Sequence, residues 1–339
     1  MATTPRTRAQ VAAGASALDP EPVAGPDQRA PARGSRWERM AERPVATAIA
    51  GTVFIAFSGT LVRFADVSPT TAAVFRCIYA LPALALLAAA ERRRFGPRPA
   101  PGRKLACIAG VCFAGDLILW HHTINAVGGG LATVLGNLQV VVVGLVAWAV
   151  LGERPSRSLF VAVPVVLAGV VLISGVAGGG AYGADPVLGV VFGVATSLCY
   201  AAFILVLRQG STDVRRPAGP LLDATAVAAV VCVVAGLLLG DLVLTPSWPA
   251  HGWLLTLALS SQVMGWMLIS SSLPRLPAAV TSMLLLLQPI GALFLGAVLL
   301  AESPSLVQLV GCAVILAGVV VATVRRPGRA ASRAALAVD

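Results

Sequence analysis

Long apolar runs separated by short polar breaks dominate the chain from about Ala46 onward. They fall at roughly 45–63, 71–90, 105–125, 131–151, 158–176, 187–207, 221–240, 252–272, 278–300 and 306–324. Each approaches the roughly 20 residues that carry a helix across the hydrocarbon core of a bilayer. Within each run apolar residues follow one another rather than alternating with polar ones, so the period-2 signature of an outer-membrane barrel is missing. In lipid every backbone N–H and C=O must find a partner, which leaves the helix as the form these runs take. The pattern predicts an all-α integral membrane protein of ten transmembrane helices. Residues 1–43 hold Ala, Pro, Arg and Gly but no apolar run, which predicts a disordered tail rather than a signal peptide. Residues 326–339 read as a second short tail.

Composition and charge sharpen this picture. Hydrophobic residues make up 57% of the 339 and charged residues only 12%, against roughly a quarter charged in a soluble domain. A soluble enzyme and a disordered chain are both excluded. The net charge of +10 would suit a nucleic-acid binder, but its placement argues otherwise. Arg and Lys crowd the first tail, the 91–104 loop (Arg92, Arg93, Arg94, Arg98, Arg103, Lys104), the later even-numbered connections and the last tail. The odd-numbered connections at 64–70, 127–130, 177–186, 241–251 and 301–305 carry none. Basic loops stay cytoplasmic, so an even number of spans puts both termini in the cytoplasm of a cell with this protein in its plasma or inner membrane. No nucleic-acid partner is needed to explain the charge.

The chain also repeats itself. A shift of 149 residues lays Gln139 on Gln288, Glu153 on Glu302, Pro155 on Pro304, Ser156 on Ser305, and Leu167-Ala168-Gly169-Val170 on Leu316-Ala317-Gly318-Val319. Each copy has five spans, so the second enters the membrane upside down. Charge agrees, since Arg154 and Arg157 become Ser303 and Leu306. The domains expected are a first five-helix repeat at 44–177 and a second at 186–325. Inverted repeats of this kind place a solute site near mid-membrane between the halves.

At this point the sequence resembles the EamA-type ten-helix family of the drug/metabolite transporter superfamily. The residues that carry the resemblance are Ser68-Pro69, Arg76, Leu151-Gly152-Glu153-Arg154-Pro155, Leu167-Ala168-Gly169, Pro277-Ala278-Ala279 through Gln288-Pro289, Glu302-Ser303-Pro304-Ser305 and Ile315-Leu316-Ala317-Gly318. Together they cover about residues 45–325. The resemblance implies a central cavity lined mainly by spans one, three, four, six, eight and nine. It also implies export or uptake of small organic solutes such as amino acids and their relatives. One departure stands out: the family pattern has Pro in the fourth span where this chain has Val140, while Pro289 is kept in the ninth. Because an interior Pro removes a hydrogen bond and kinks a helix, Pro289 is expected to act as a hinge and the two halves to bend unequally.

Several polar residues inside the spans are candidates for the solute pathway. Asp116 sits midway along the third span, where an ionised side chain costs about 2.5–3.5 kcal/mol on the insertion scale. It reads as a contact for a substrate amine or a proton site, or else as a hydrogen-bonded structural carboxyl. Trp120, four residues on, shares its face. His121 and His122 lie about 140° and 120° away at 3.6 residues per turn, toward a neighbouring helix or the interface. His121 could carry a proton or serve as an amphipathic anchor. Arg76 could grip a carboxylate or pair helices. Asn137, Gln139, Gln262 and Gln288 could bond a solute or another helix, with Gln288, beside Pro289, the nearer to the solute. Tyr200 and Trp266 could form aromatic walls or simply pack. Asp223 reads as an exposed acid at a helix start. Glu153 and Glu302 read as caps at the membrane surface, and Gly189 and Gly193 as a close-packing pair.

The sequence holds no chemistry for catalysis. Its only Lys is Lys104, no P-loop occurs, and no His/Cys/acid spacing suits a metal. The cysteines Cys77, Cys107, Cys112, Cys199, Cys232 and Cys312 all lie in apolar stretches and read as packing residues. A secondary transporter with no cofactor, working on a small solute and using protons as a conceivable coupling ion, is the leading reading. A lipid flippase of the same superfamily and an integral membrane enzyme are the alternatives.

Overall fold

A computed structural model describes residues 43–151, 157–176, 181–210, 213, 215–272, 276 and 284–323. Among them every regular element is a helix. In chain order these are α1 (Pro44–Ala56), α2 (Ser58–Ala65), α3 (Pro69–Phe95), α4 (Ala100–Val127), α5 (Gly129–Gly136), α6 (Gln139–Leu151) and α7 (Arg157–Ile173). Then follow α8 (Pro186–Gly210), α9 (Ala218–Leu239), α10 (Trp248–Leu257), a wide π-helical segment (Ala258–Gly265), α11 (Trp266–Ser272), α12 (Leu287–Leu300) and α13 (Leu306–Thr323). Six continuous stretches are long and apolar enough to cross a membrane: Pro44–Ala65, Pro69–Phe95, Ala100–Val127, Pro186–Leu207, Ala218–Leu239 and Trp248–Ser272. Four shorter apolar helices stand at Gly129–Val143, Arg157–Ile173, Leu287–Leu300 and Leu306–Ala322. The chain is therefore a multi-pass membrane protein.

Local chemistry sets the ends. Pro44 and Pro69 open α1 and α3 at the first turn, where a missing N–H costs nothing. Ser68 caps α3 by accepting from Thr71 N at 3.3 Å, and its hydroxyl donates to Asp241 O at 2.5 Å. Gly128, at φ +85°, is the single residue between α4 and α5, so the fourth span starts two residues before the expected 131. A side chain at Gly128 would also collide with the Glu302 carboxylate, 2.7 Å from where its Cβ would stand. In the turn before α9, hydrogen bonds from Arg215 pull the Asp213 carboxyl below its usual pKa.

Helices approach closely where glycines remove side chains. A Cβ on Gly51 of α1 would meet Gly265 O at 3.1 Å, and one on Gly265 would meet Ile55 Cγ1 at 2.7 Å. In α7, a Cβ on Gly169 would lie 2.8 Å from Gly311 O of α13, and one on Gly318 would lie 2.5 Å from Val166 Cγ2. Gly189 and Gly193 of α8 press on Val127 and Leu135 in the same way, which accounts for that pair as helix packing. The cysteines are all free thiols.

The expected asymmetry between the fourth and ninth spans needs correcting. The fourth span, although it lacks the Pro, is interrupted after Gly136, between α5 and α6. Asn137 supplies the break. Its amide nitrogen Nδ2 donates to Thr133 O at 2.8 Å, and the backbone follows with tight i→i−3 bonds from Leu138 N to Leu135 O and from Val140 N to Asn137 O. A side chain that bonds the preceding turn competes with regular helix. In the second copy α12 starts at Leu287 after a turn at Leu286, which is residue 137 shifted by 149. Pro289 thus lies in the first turn of a new helix rather than inside an unbroken one. Glu153 and the Pro277-Ala278-Ala279 motif lie outside the described residues.

Candidate functional site

A cavity lies where the first, third, fourth, sixth, eighth and ninth spans meet, with Arg76 entering from the second. Its lining includes Ser58, Arg76, Asp116, Trp120, Asn137, Thr196, Tyr200, Trp266 and Gln288. The cavity is small, about 70 Å³, well below the several hundred Å³ usual for small-ligand sites. Side chains must therefore move before a solute of several heavy atoms fits.

The third span supplies Asp116, 8% exposed, together with Trp120 one turn on. Among the described residues the Asp116 carboxylate has no hydrogen bond and no ion pair. Arg76, 4% exposed, is held from behind. Its Nε donates to Gln262 Oε1 at 3.1 Å, and Gln262 Nε2 donates to Thr225 Oγ1 at 3.2 Å. The guanidinium also stacks over Trp120, 5.6 Å from the ring centroid. That leaves its terminal nitrogens for the cavity. The π-helical segment fits this arrangement: its wider turn sets Gln262 against Arg76 and carries Trp266 to the lining. Such segments occur mostly at functional places in helices.

One side is aromatic. Phe113 and Phe203 stack at 4.5 Å, and Trp266 meets Phe203 edge-on at 5.5 Å and Tyr200 at 6.0 Å. The opposite chemistry comes from two hydroxyls. Ser58 and Thr196 are 2% and 1% exposed, and their oxygens have no hydrogen-bond partner among the described residues. A buried unpaired hydroxyl costs about 1–3 kcal/mol, so both stand ready for a polar guest.

The structure brings Arg76, Asp116, Trp120, Asn137, Tyr200, Trp266 and Gln288 together at one cavity. It sets three other candidates apart. Gln262 stands behind Arg76. Gln139 is buried but does not line the cavity. His121 is fully buried in protein, so it is not an interfacial anchor; its Nδ1 lies 2.5 Å from Leu117 O and its Nε2 has no partner among the described residues. His122 packs on Phe192 instead. Asp223 is not a helix-start acid either. α9 begins at Ala218, and the carboxylate bonds Arg98.

Ser58, Thr133 and Thr196 escaped the sequence reading because small hydroxyl residues are common in spans and usually bond their own helix. Thr133 does so, donating to Gly129 O at 2.8 Å. Glu302 was legible as a cap, but not as the cap of another helix. Buried at 5% exposure, it accepts from Gly129 N at 2.7 Å and Gly130 N at 3.1 Å at the start of α5. One turn further along α5 is Thr133, that helix's first residue on the cavity.

The sequence matches the model of the EamA-like transporter family twice, over residues 43–175 and 187–324. The chain belongs to the EamA-like transporter family. An EamA-like chain of this kind also shares its fold with a solved crystal structure at a TM-score of 0.57, with 17% sequence identity over 83% of this chain and 98% of that one. No curated protein sequence matches significantly.

Proposed function

We propose that this EamA-like protein is a secondary transporter that exports amino acids or closely related small solutes by alternating access between two inverted five-helix repeats. The observation that carries the reading is the pairing, in one cavity, of an unbonded carboxylate at Asp116 with the free end of the Arg76 guanidinium. A zwitterion presents the complementary charges, ammonium to Asp116 and carboxylate to Arg76. Ser58 and Thr196 offer further hydrogen bonds, and the aromatic lining of Phe113, Tyr200 and Trp266, backed by Phe203, receives an apolar side chain.

Packing supports the repeat. The pairs α3 with α9, α5 with α12 and α7 with α13 each join a span to its own repeat mate. The third span packs on the sixth, as the eighth packs on the first. Interruptions at 137 and 286 fall at equivalent positions. In an inverted pair, motion of one half against the other would expose the cavity to each side in turn. Both termini would then lie in the cytoplasm.

Proteoliposomes loaded with radiolabelled amino acids test the proposal. Exchange of labelled for unlabelled solute, lost in Asp116→Asn and in Arg76→Gln, is expected. Lipid movement or product formation without solute exchange would reject it.

A further inference from the structure

A second site lies away from the central cavity, where the end of α3, the 96–99 connection, the first turn of α4 and the start of α9 meet. A cavity of about 350 Å³ is lined there by Arg92, Arg98, Arg103 and Arg216, with Glu91 and Asp223. Four guanidiniums face two carboxylates, and both carboxylates are engaged. Glu91 accepts from Ala218 N at 2.8 Å and from Gly219 N at 2.9 Å, capping α9. Asp223 bonds Arg98 and stands 3.7 Å from Arg103 Nε. Arg216 donates to the carbonyls of Phe95 and Gly96 at the end of α3. Arg216 also pairs with Asp213, 3.1 Å from its Nε, so the recess keeps an excess of one positive charge (four arginines less Glu91, Asp223 and Asp213) and a buried Arg98 Nη1 with no partner among the described residues. Packed on Gly219, with Nε 2.7 Å from where a Cβ would stand, Arg98 has little freedom to turn to solvent.

The cavity continues into an apolar wall. Ala85, Ala88 and Ala89 form its membrane side, and Ala89 also lines an adjoining groove with Leu86, Ala90, Arg93 and Arg94. Leu86 is 75% exposed and sits six residues before Arg92, about 9 Å along the helix toward mid-membrane. A free phosphate would use only the arginine end. A phosphate that carries an acyl chain would use both.

We infer that this recess binds an anionic glycerophospholipid, with the phosphate on Arg98, Arg92 and Arg103 and a chain along Ala85, Leu86 and Ala89. Basic recesses between membrane helices recruit such headgroups, and the guanidinium fork matches phosphate.

Thermal unfolding of the full-length protein in phosphatidylglycerol and phosphatidylcholine vesicles tests this. The expected result is a Tm several degrees higher in phosphatidylglycerol. At least half of that difference should be lost in Arg103→Gln and in Arg92→Gln, whose side chains are exposed, and kept in Arg43→Gln, which removes the same charge elsewhere. Reading the difference between lipids, rather than the Tm itself, separates a lipid effect from a weaker fold. Equal losses in all three variants would assign the effect to diffuse surface charge. An equal gain from inorganic phosphate in phosphatidylcholine vesicles would make this a free-anion site. No difference between the vesicles would remove the site altogether; each of these three results overturns the inference.

Discussion

Replacing Glu302 with Gln keeps the shape of the side chain but removes its charge and one of its acceptors. The carboxylate now takes the N–H groups of Gly129 and Gly130 at 2.7 and 3.1 Å, at the positive end of α5. The amide could accept one of these and would turn its own N–H toward the other, leaving a buried donor unsatisfied at a cost of about 1–3 kcal/mol. Loss of charge at a partly buried helix start adds about 0.3–2 kcal/mol. A combined cost of roughly 3 kcal/mol corresponds to about 100-fold in the equilibrium between clamped and released states. Because Glu302 follows α12 and grips α5, the clamp joins the two halves that alternating access would separate. Thr133→Cys, one turn below the clamp, placed in a chain whose native cysteines are replaced by Ser, reports release through its reaction with a membrane-impermeant maleimide. Labelling at least tenfold faster with Glu302→Gln is expected, at an unchanged amount of protein in the membrane. Identical labelling rates and identical transport would show that the contact is a static cap and refute the reasoning.

Asp116→Asn should abolish or uncouple solute exchange while the protein stays folded; normal kinetics with an unchanged pH dependence would return Asp116 to a structural role. Gln288→Leu should damage exchange more than Gln139→Leu, because Gln288 lines the cavity and Gln139 does not, and equal effects in a transport assay would contradict this. Gly169→Val should destabilise the α7–α13 contact, where even a Cβ would come within 2.8 Å of Gly311 O, and lower Tm by several degrees in detergent. Cysteines placed at Arg94 and Arg216 should react from one side of the membrane and a cysteine at Tyr182 from the other, measured by sided labelling of intact cells.

The helices were legible because span length and apolar continuity are local properties. Even the one-residue link at Gly128 falls inside the expected 127–130 connection, with the fourth span starting two residues earlier than expected. The interruption at Asn137 was missed because attention to Pro treats a lost N–H as the only way to break a helix, whereas a side-chain amide can break one by competition. Asp116 and Arg76 stood out as charges in lipid. Ser58 and Thr196 did not, since whether a hydroxyl is satisfied depends on neighbours far away in the chain. The same applies to Glu302, whose partners lie more than 170 residues away, and to the π-helical turn, which no residue in Ala258–Gly265 announces.

The two interruptions at 137 and 286 share a place but not a chemistry. Asn137 keeps its backbone N–H, already bonded to Thr133 O, and the residues that follow it with tight i→i−3 bonds, Leu138 and Val140, keep donors that a continuous helix could use. Pro289 has no N–H to return, so the gap before it is permanent. Under the proposed alternating access, the fourth span has the donors to close its gap during a cycle and the ninth does not. A machine built from two near-copies would then run unevenly, with one stroke stiff and the other compliant. Val140→Pro, which puts a proline at the repeat mate of Pro289, would give both spans the same permanent gap and make the pair symmetric at this point.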